Sequence, residues 1–203
     1  MRILGLTGPT GAGKGEFGRV AREKFGALHI DTDRVAREVV EPGMPCLDEL
    51  TQAFGTDILH PDGSLDRKAL AALVFSDKEK LQKLNQITHP AITAEVRHRI
   101  EAAKAADVPL VIIDAPLLFE SGENVLCDVT VGVIADEEVR LQRILSRDHL
   151  DPAGAERRMA SAKQAEYFKE RCDHILENNA DTESFAQKIC AFLEQLGMQS
   201  KKE

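Results

Sequence analysis

The sequence predicts an α/β fold, a doubly wound parallel five-stranded sheet with a helical insertion. Three observations predict it. Short apolar runs alternate with longer stretches of helical period, which is the signature of β-α-β units. Runs such as Val111-Ile112-Ile113 are apolar throughout, as strands covered on both faces must be. A glycine-rich turn, GPTGAGKG at 8–15, follows the first apolar run and opens the first helical pattern. The chain has 203 residues, 43% of them hydrophobic, which suits one α/β domain with a substantial core.

The elements follow in order. Strands are expected at 2–7 (RILGLT), 27–30 (ALHI), 108–113 (VPLVII), 128–134 (DVTVGVI) and 174–177 (HILE). The first helix starts near Lys14, carries an apolar stripe of Phe17, Val20 and Ala21, and ends at Gly26. About 75 residues then pass without a strand signal. There Asp66 to Phe75 reads as a helix with Leu70, Leu73 and Val74 on one side. Ser76-Asp77-Lys78-Glu79 reads as a capping box for a second. A third is expected after His89-Pro90, reaching about Ala106, with the proline at its start. Further on, Asp136-Glu137-Glu138 supplies acidic groups to a helix start, and Asp151-Pro152 supplies an N-cap and first-turn proline. The tail from Thr182 to Leu196 is amphipathic, and 200–203 is expected to fray.

Charge and composition narrow the function. The net charge of -8 argues against a broad nucleic-acid surface, which needs excess Lys and Arg. No window approaches the roughly 20 apolar residues of a membrane helix, and the first residues read as a strand rather than a signal peptide. Cys46, Cys127, Cys172 and Cys190 form no C-x-x-C pair, so reduced thiols in a cytoplasmic protein are expected.

GPTGAGKG matches the phosphate-binding pattern G-x-x-x-x-G-K-[ST] except at its last position, Gly15. Glycines let the main chain wrap closely round phosphate oxygens, and the following helix adds its positive end. Gly11, Ala12, Gly13, Lys14, Gly15 and Glu16 are therefore the candidate ATP-binding residues, with Lys14 neutralising the β and γ phosphates. Thr10 faces the nucleotide. Gly15 offers Mg2+ no hydroxyl, a place that water can fill. The Glu16 carboxylate must point away from the phosphates or reach the metal through water.

Three further groups carry candidate chemistry. Asp31 and Asp33 follow the second strand, where a carboxylate either accepts the proton of an attacking hydroxyl or caps the next helix. Asp33 is the stronger candidate base. Asp114 ends the third strand, as a magnesium-side acid or as a turn cap. Arg140, Arg143 and Arg147 fall on one helical stripe and repel one another. Either a bound anion such as ATP relieves them, or Glu137, Glu138 and Asp148 balance a solvated face.

Taken together, the motifs resemble the dephospho-coenzyme A kinases over nearly the whole chain. GLTGPTGAGKG is similar to the family loop, and DTDRVAREVVEPG to its D-x-D-x-x-A-R-x-V-x-x-P-G segment. DGSLDRKALAALVFSDKEKLQKLNQITHP, DAPLLFE and DHILEN follow in the family's order. The resemblance implies a P-loop kinase fold and ATP-dependent phosphorylation of the ribose 3′-hydroxyl of dephospho-CoA, giving CoA, with Mg2+. It implies Asp33 as general base, Lys14 as phosphate clamp, and Arg143 and Arg147 as lid arginines, Arg143 foremost; Arg140 matches no family arginine. It also implies a core of 1–60, 107–135 and 172–203, a substrate-side helical subdomain at about 61–106, and a lid at about 136–171. Gly15-Glu16 and Ala162 depart from the family pattern. They keep two alternatives open: a non-catalytic nucleotide-binding regulator, or a kinase for another nucleoside-like acceptor. No N-K-x-D segment supports a GTPase switch. The expected partners are small molecules, with no nucleic acid and no membrane.

Overall fold

A computed structural model describes residues 1–148, 151–160 and 162–201. The expected lid segment and fraying tail are thus described except at 149, 150, 161, 202 and 203. The chain forms two compact units, Met1–Ile30 with Ala103–Glu203, and Asp31–Ala102.

The first unit is built on a five-stranded parallel sheet, in the order β2-β3-β1-β4-β5. The strands are β1 (Arg2–Thr7), β2 (Leu28–Asp31), β3 (Leu110–Asp114), β4 (Val129–Ile134) and β5 (His174–Glu177). All five predicted strands are present, within two residues at each end. Every residue of β3 and β4 is buried, which explains why their sequences lack the alternation of a half-exposed strand. In register, Leu4 of the central β1 faces Ile112 on one side and Val129 on the other.

Helices α1 (Lys14–Phe25) and α9 (Thr182–Gln195) cover one face. Phe17, Val20, Phe25, Phe185, Ile189 and Phe192 pack there with Leu4, Leu6, Val131 and Val133. The rings of Phe17 and Phe192 lie 6.3 Å apart. Each such side chain contributes about 1.5–3 kcal/mol on burial. Gly132 alternates to the other face, where a Cβ would stand 2.8 Å from Ile175 and 3.3 Å from Phe168 of α8 (Ala165–Lys169). Glycine there lets α8 approach the sheet closely. Gly26 ends α1 in the left-handed region, as predicted, at φ 67°. Helix α6 (Glu137–Asp148) follows β4, and Asp151 caps α7 (Pro152–Ala160) by accepting from the Gly154 amide at 2.8 Å.

The second unit is helical: α2 (Thr32–Glu38), α3 (Pro45–Phe54), α4 (Arg67–Val74) and most of α5 (Lys78–Ala105). Val35, Leu47, Leu50, Ile58, Leu70, Val74 and Val96 are buried. Asp66 caps α4 through the Lys68 and Ala69 amides. Two expectations change here. Asp77, rather than Ser76, caps α5, taking the Glu79 and Lys80 amides. And α5 runs unbroken through His89-Pro90 rather than restarting there. Pro90 cannot donate to the Gln86 carbonyl, but both residues are exposed, so water satisfies that group.

One polar tie fixes the entry to β5. The Asp173 carboxylate accepts from the Thr130 amide at 2.8 Å and from its hydroxyl at 2.7 Å. These bonds, the hydroxyl first, hold the Asp173 carboxyl below its ordinary 3.8. A carboxyl lowered on folding stabilises the protein above its unfolded pKa and loses that contribution as pH falls through the folded one. Asp173→Asn is therefore expected to lower stability by about 1 kcal/mol at neutral pH. Urea titrations of the two proteins should converge as pH drops below about 4.

Candidate active site

Between β1 and α1 the main chain turns tightly enough that several positions exclude a side chain. Gly8 lies at φ 141°, where a Cβ would stand 2.1 Å from the Val133 carbonyl oxygen. Gly11, at φ 79°, presses against the Arg140 main chain of α6, with 2.8 Å from its Cβ site to that carbonyl. Gly13 begins α1 at φ 107°, with no side chain capping the helix. No side chain at Gly13 competes with an anion for the start of α1, whose helix dipole favours negative charge there.

A loop that turns its amides inward turns its carbonyls outward, and those need donors. Alternate carbonyls find them on side chains. Lys14 Nζ donates to the Gly8 carbonyl at 3.0 Å, Arg140 Nε to Thr10 at 3.0 Å, and Asn178 Nδ2 to Ala12 at 2.8 Å. Arg143 completes the frame. Its guanidinium donates to the Asn178 main-chain and side-chain oxygens at 3.0 and 3.2 Å, to Ala180 at 3.3 Å, and to Ala12 at 3.5 Å. Burial holds both arginines' pKa values down from the ordinary value.

The sequence-predicted residues thus divide. Gly11, Ala12, Gly13, Lys14, Gly15 and Glu16 form the loop and first turn, and Arg140 and Arg143 brace it. Arg147 is directed elsewhere, pairing with Asp148 at 2.7 Å; Arg158 meets the same carboxylate at 2.8 Å. The arginine stripe is in this sense three different environments. A Cβ on Gly15 would meet nothing within 4 Å. Glu16 reaches Arg19 at 2.6 Å, and Arg19 also meets Glu23. The Glu16 bond raises the Arg19 pKa. Its carboxylate is thereby held by a neighbour on its own helix.

Asp114 sits beside Leu6 in the sheet register, at the end of β3. It is 9% exposed, and its Oδ2 lies 3.2 Å from His29 Nε2 on β2. Gly18 makes room for that imidazole: a Cβ there would lie 2.5 Å from the ring. Asp31 caps α2, accepting from the Arg34 amide at 3.2 Å. Asp33 belongs to the second unit, exposed in the first turn of α2. Sequence reasoning missed the roles of His29 and Asn178. A histidine inside an apolar strand and an asparagine directly after one were the available signals, since neither residue is comfortable there without a partner.

The model of the dephospho-CoA kinase family matches residues 2–184. The chain belongs to the dephospho-CoA kinase family. A dephospho-CoA kinase from Anaeromyxobacter dehalogenans is 40% identical over 97% of this chain and 92% of its own length. One from Streptomyces avermitilis is 44% identical over 93% and 91%. Among solved structures, a Thermus thermophilus protein superposes with a TM-score of 0.79 at 32% identity, covering 96% of this chain and 97% of its own. The dephospho-CoA kinase from Campylobacter jejuni gives 0.71 at 25%, covering 96% of each. The P-loop kinase fold expected from the sequence is the fold of this family member.

Two substitutions test the frame. Gly13→Ala places a methyl 2.2 Å from Asn178 Nδ2 at a positive φ. It is expected to cost about 1–3 kcal/mol in backbone strain alone and to weaken ATP binding at least tenfold, read by calorimetric titration. Asn178→Ala leaves the Ala12 carbonyl without its 2.8 Å donor. It should lower unfolding stability by about 1–3 kcal/mol.

Proposed function

We propose that this protein transfers the γ-phosphoryl group of ATP to the ribose 3′-hydroxyl of dephospho-CoA, giving CoA and ADP. The observation that carries this reading is a phosphate loop, braced at three carbonyls, within a chain that the dephospho-CoA kinase family matches over residues 2–184.

Loop amides from Gly11 to Gly15 and the start of α1 would hold the β and γ phosphates. Lys14 exchanges its contact with the Gly8 carbonyl for phosphate oxygens, where a charge-assisted bond is stronger than a neutral one. Arg143 is held by several acceptors and keeps the loop and the Asn178–Ala180 segment in place beside the nucleotide. Arg147 is available as the lid cation. It meets both oxygens of Asp148, a carboxylate shared with Arg158, and in the proposed complex it exchanges that pair for the triphosphate. Glu16, engaged by Arg19, does not repel the phosphates as a free carboxylate would.

Asp33 is the proposed general base. It follows the carboxyl end of β2 by two residues, and the phosphate loop follows the carboxyl end of β1. In open α/β sheets that edge receives ligands. In the proposed reaction its carboxylate accepts the 3′-hydroxyl proton as the oxygen attacks phosphorus. Most of the remaining acceleration is positioning and charge neutralisation.

The donor set suits Mg2+. Among the described residues no cluster of three or more His, Cys, Asp or Glu is placed to hold a metal. A single strand-end carboxylate, Asp114, with phosphate oxygens and water is the arrangement magnesium takes in such enzymes. When bound, the ion neutralises charge on the β and γ phosphates. His29 orients the carboxylate that would hold it, and Gly15 leaves open space for a water. The family match over residues 2–184 favours the kinase over the regulator suggested by Gly15, Glu16 and Ala162.

The setting agrees with small-molecule metabolism in the cytoplasm. No helix among the described residues is long and apolar enough to cross a membrane. All four cysteines are free, and burial pushes the Cys127 and Cys172 thiols up to about 12.

Incubation with ATP, Mg2+ and dephospho-CoA should yield a product heavier by one phosphoryl group, by mass spectrometry. Asp33→Asn is expected to lower kcat by about 10²–10⁴-fold with the KM for ATP nearly unchanged. Equal ATP binding with no transfer by the unaltered protein would instead support the regulator. Gly15→Ser, for which there is room, should shift the Mg2+ titration of activity to lower concentration. An unchanged titration would mean that this position lies outside the ion's shell.

A further inference from the structure

Helix α2 carries the proposed base in its first turn, yet it has only seven residues, and so short a helix does not hold its shape in water by itself. Asp31 caps its start, and Thr32 and Val35 are its buried side chains. Apolar burial sets how deep a helix lies; being non-directional, it fixes the roll about the helix axis only loosely. Roll matters for Asp33. A carboxylate about 5 Å from the axis moves about 1 Å for a roll of roughly 10°. A displacement of about 1 Å at a reacting group can cost about 10²-fold in rate.

A directional contact fixes the roll at the other end. Glu38, the last residue of α2, gives its two oxygens to two arginines. Its Oε1 accepts from Arg34 Nε on the same helix at 2.7 Å, and its Oε2 accepts from Arg99 Nη2 on α5. Arg99 is itself held, since its Nε donates to Glu95 on α5 at 2.8 Å. Val96, on the same face of α5, is fully buried, so Arg99 stands on the side that turns toward the interior of this unit. The pair joins residues 61 positions apart and is half-buried, with Arg99 30% and Glu38 26% exposed. Asp33 and Glu38 are separated by roughly 140° round the helix. The tie therefore draws one side of α2 onto α5 and leaves the exposed Asp33 on another.

We propose, on the reading of Asp33 as the base, that Arg99 is a positioning residue for phosphoryl transfer: through Glu38 it sets the roll of α2 and so the aim of the Asp33 carboxylate. Arg99 acts through another side chain and touches no reacting atom. Arg99, Glu38 and Asp33 all belong to the helical unit, and the phosphate loop belongs to the other. Loss of the pair therefore changes the transfer step and leaves ATP binding alone.

The test is a mutant cycle on the full chain, with kcat and the KM for ATP measured beside the stoichiometry of ATP binding. Arg99→Met keeps the apolar stem and loses the charged fork, and Glu38→Ala removes the acceptor. Each is expected to lower kcat at least about tenfold, with the KM and the stoichiometry for ATP unchanged. In an Asp33→Asn background, Arg99→Met should change kcat by less than about twofold, because aim no longer matters once the base is gone. If Asp33→Asn leaves kcat unchanged, the base is misassigned and the role of Arg99 falls with it. If Asp33→Asn lowers kcat as expected, three results would overturn the role of Arg99 alone. These are an unchanged kcat in Arg99→Met or Glu38→Ala, a loss of kcat that matches a loss of ATP-binding sites, and an equal effect of Arg99→Met in both backgrounds.

Discussion

The phosphate loop can face its amides toward an anion only because its outward carbonyls are held from behind. Gly8, Thr10 and Ala12 each present a carbonyl to a side chain: Lys14, Arg140 and Asn178. These donors come from three parts of the chain, the loop itself, α6 and the end of β5. The loop is therefore fixed by the first unit as a whole rather than by its own eight residues. The fold's order serves this arrangement. Placing β4 and β5 beside β1 brings α6 and Asn178 against the turn that follows β1. The glycines are the other half of the constraint. At Gly8 and Gly13 the space a Cβ would need is taken by the Val133 carbonyl and the Asn178 amide, so the brace and the absence of side chains require one another.

Partners sort the charged groups that surround this frame. Arg19 pairs with Glu16 on an exposed helix face, and Arg147 meets both Asp148 oxygens, a carboxylate that Arg158 shares. Their role is to decide where a charge points. Arg140 and Arg143 are different: Arg140 is buried with its Nε on the Thr10 carbonyl, and Arg143 is half-buried against Ala12, Asn178 and Ala180. Moving Arg143 breaks several bonds at once, and moving Arg140 breaks its bond to the Thr10 carbonyl. The stripe of arginines thus contains two residues that meet the loop and one that meets Asp148, a division that depends on what each residue packs against.

Much of this was legible in the sequence. The five strands, the loop and the helix start at Lys14 followed from apolar runs and glycine spacing, because buried parallel strands and phosphate turns have few alternative sequences. The cap at Asp151 was readable for the same local reason. The unbroken helix through Pro90 was not: a proline usually marks a boundary, and only its exposure, a tertiary fact, lets the helix continue. The helices at Thr32–Glu38 and Pro45–Phe54 were passed over, their patterns being short and mixed with turn residues. In the site, the loop and Asp114 announced themselves through motif and strand end. His29 and Asn178 did not, since their value lies in partners 85 and 166 residues away in sequence.

The central proposal is that Asp33 accepts the proton of the ribose 3′-hydroxyl as that oxygen attacks the γ-phosphorus of ATP. A crystal structure of the ternary complex with a non-hydrolysable ATP analogue, Mg2+ and dephospho-CoA tests it most directly, through the distance from the Asp33 carboxylate to the ribose 3′ oxygen. The account predicts hydrogen-bonding reach, about 2.6–3.2 Å, with the 3′ oxygen facing the γ-phosphorus. A ribose bound with its 3′ oxygen against some other side chain, and Asp33 turned to solvent, would contradict it.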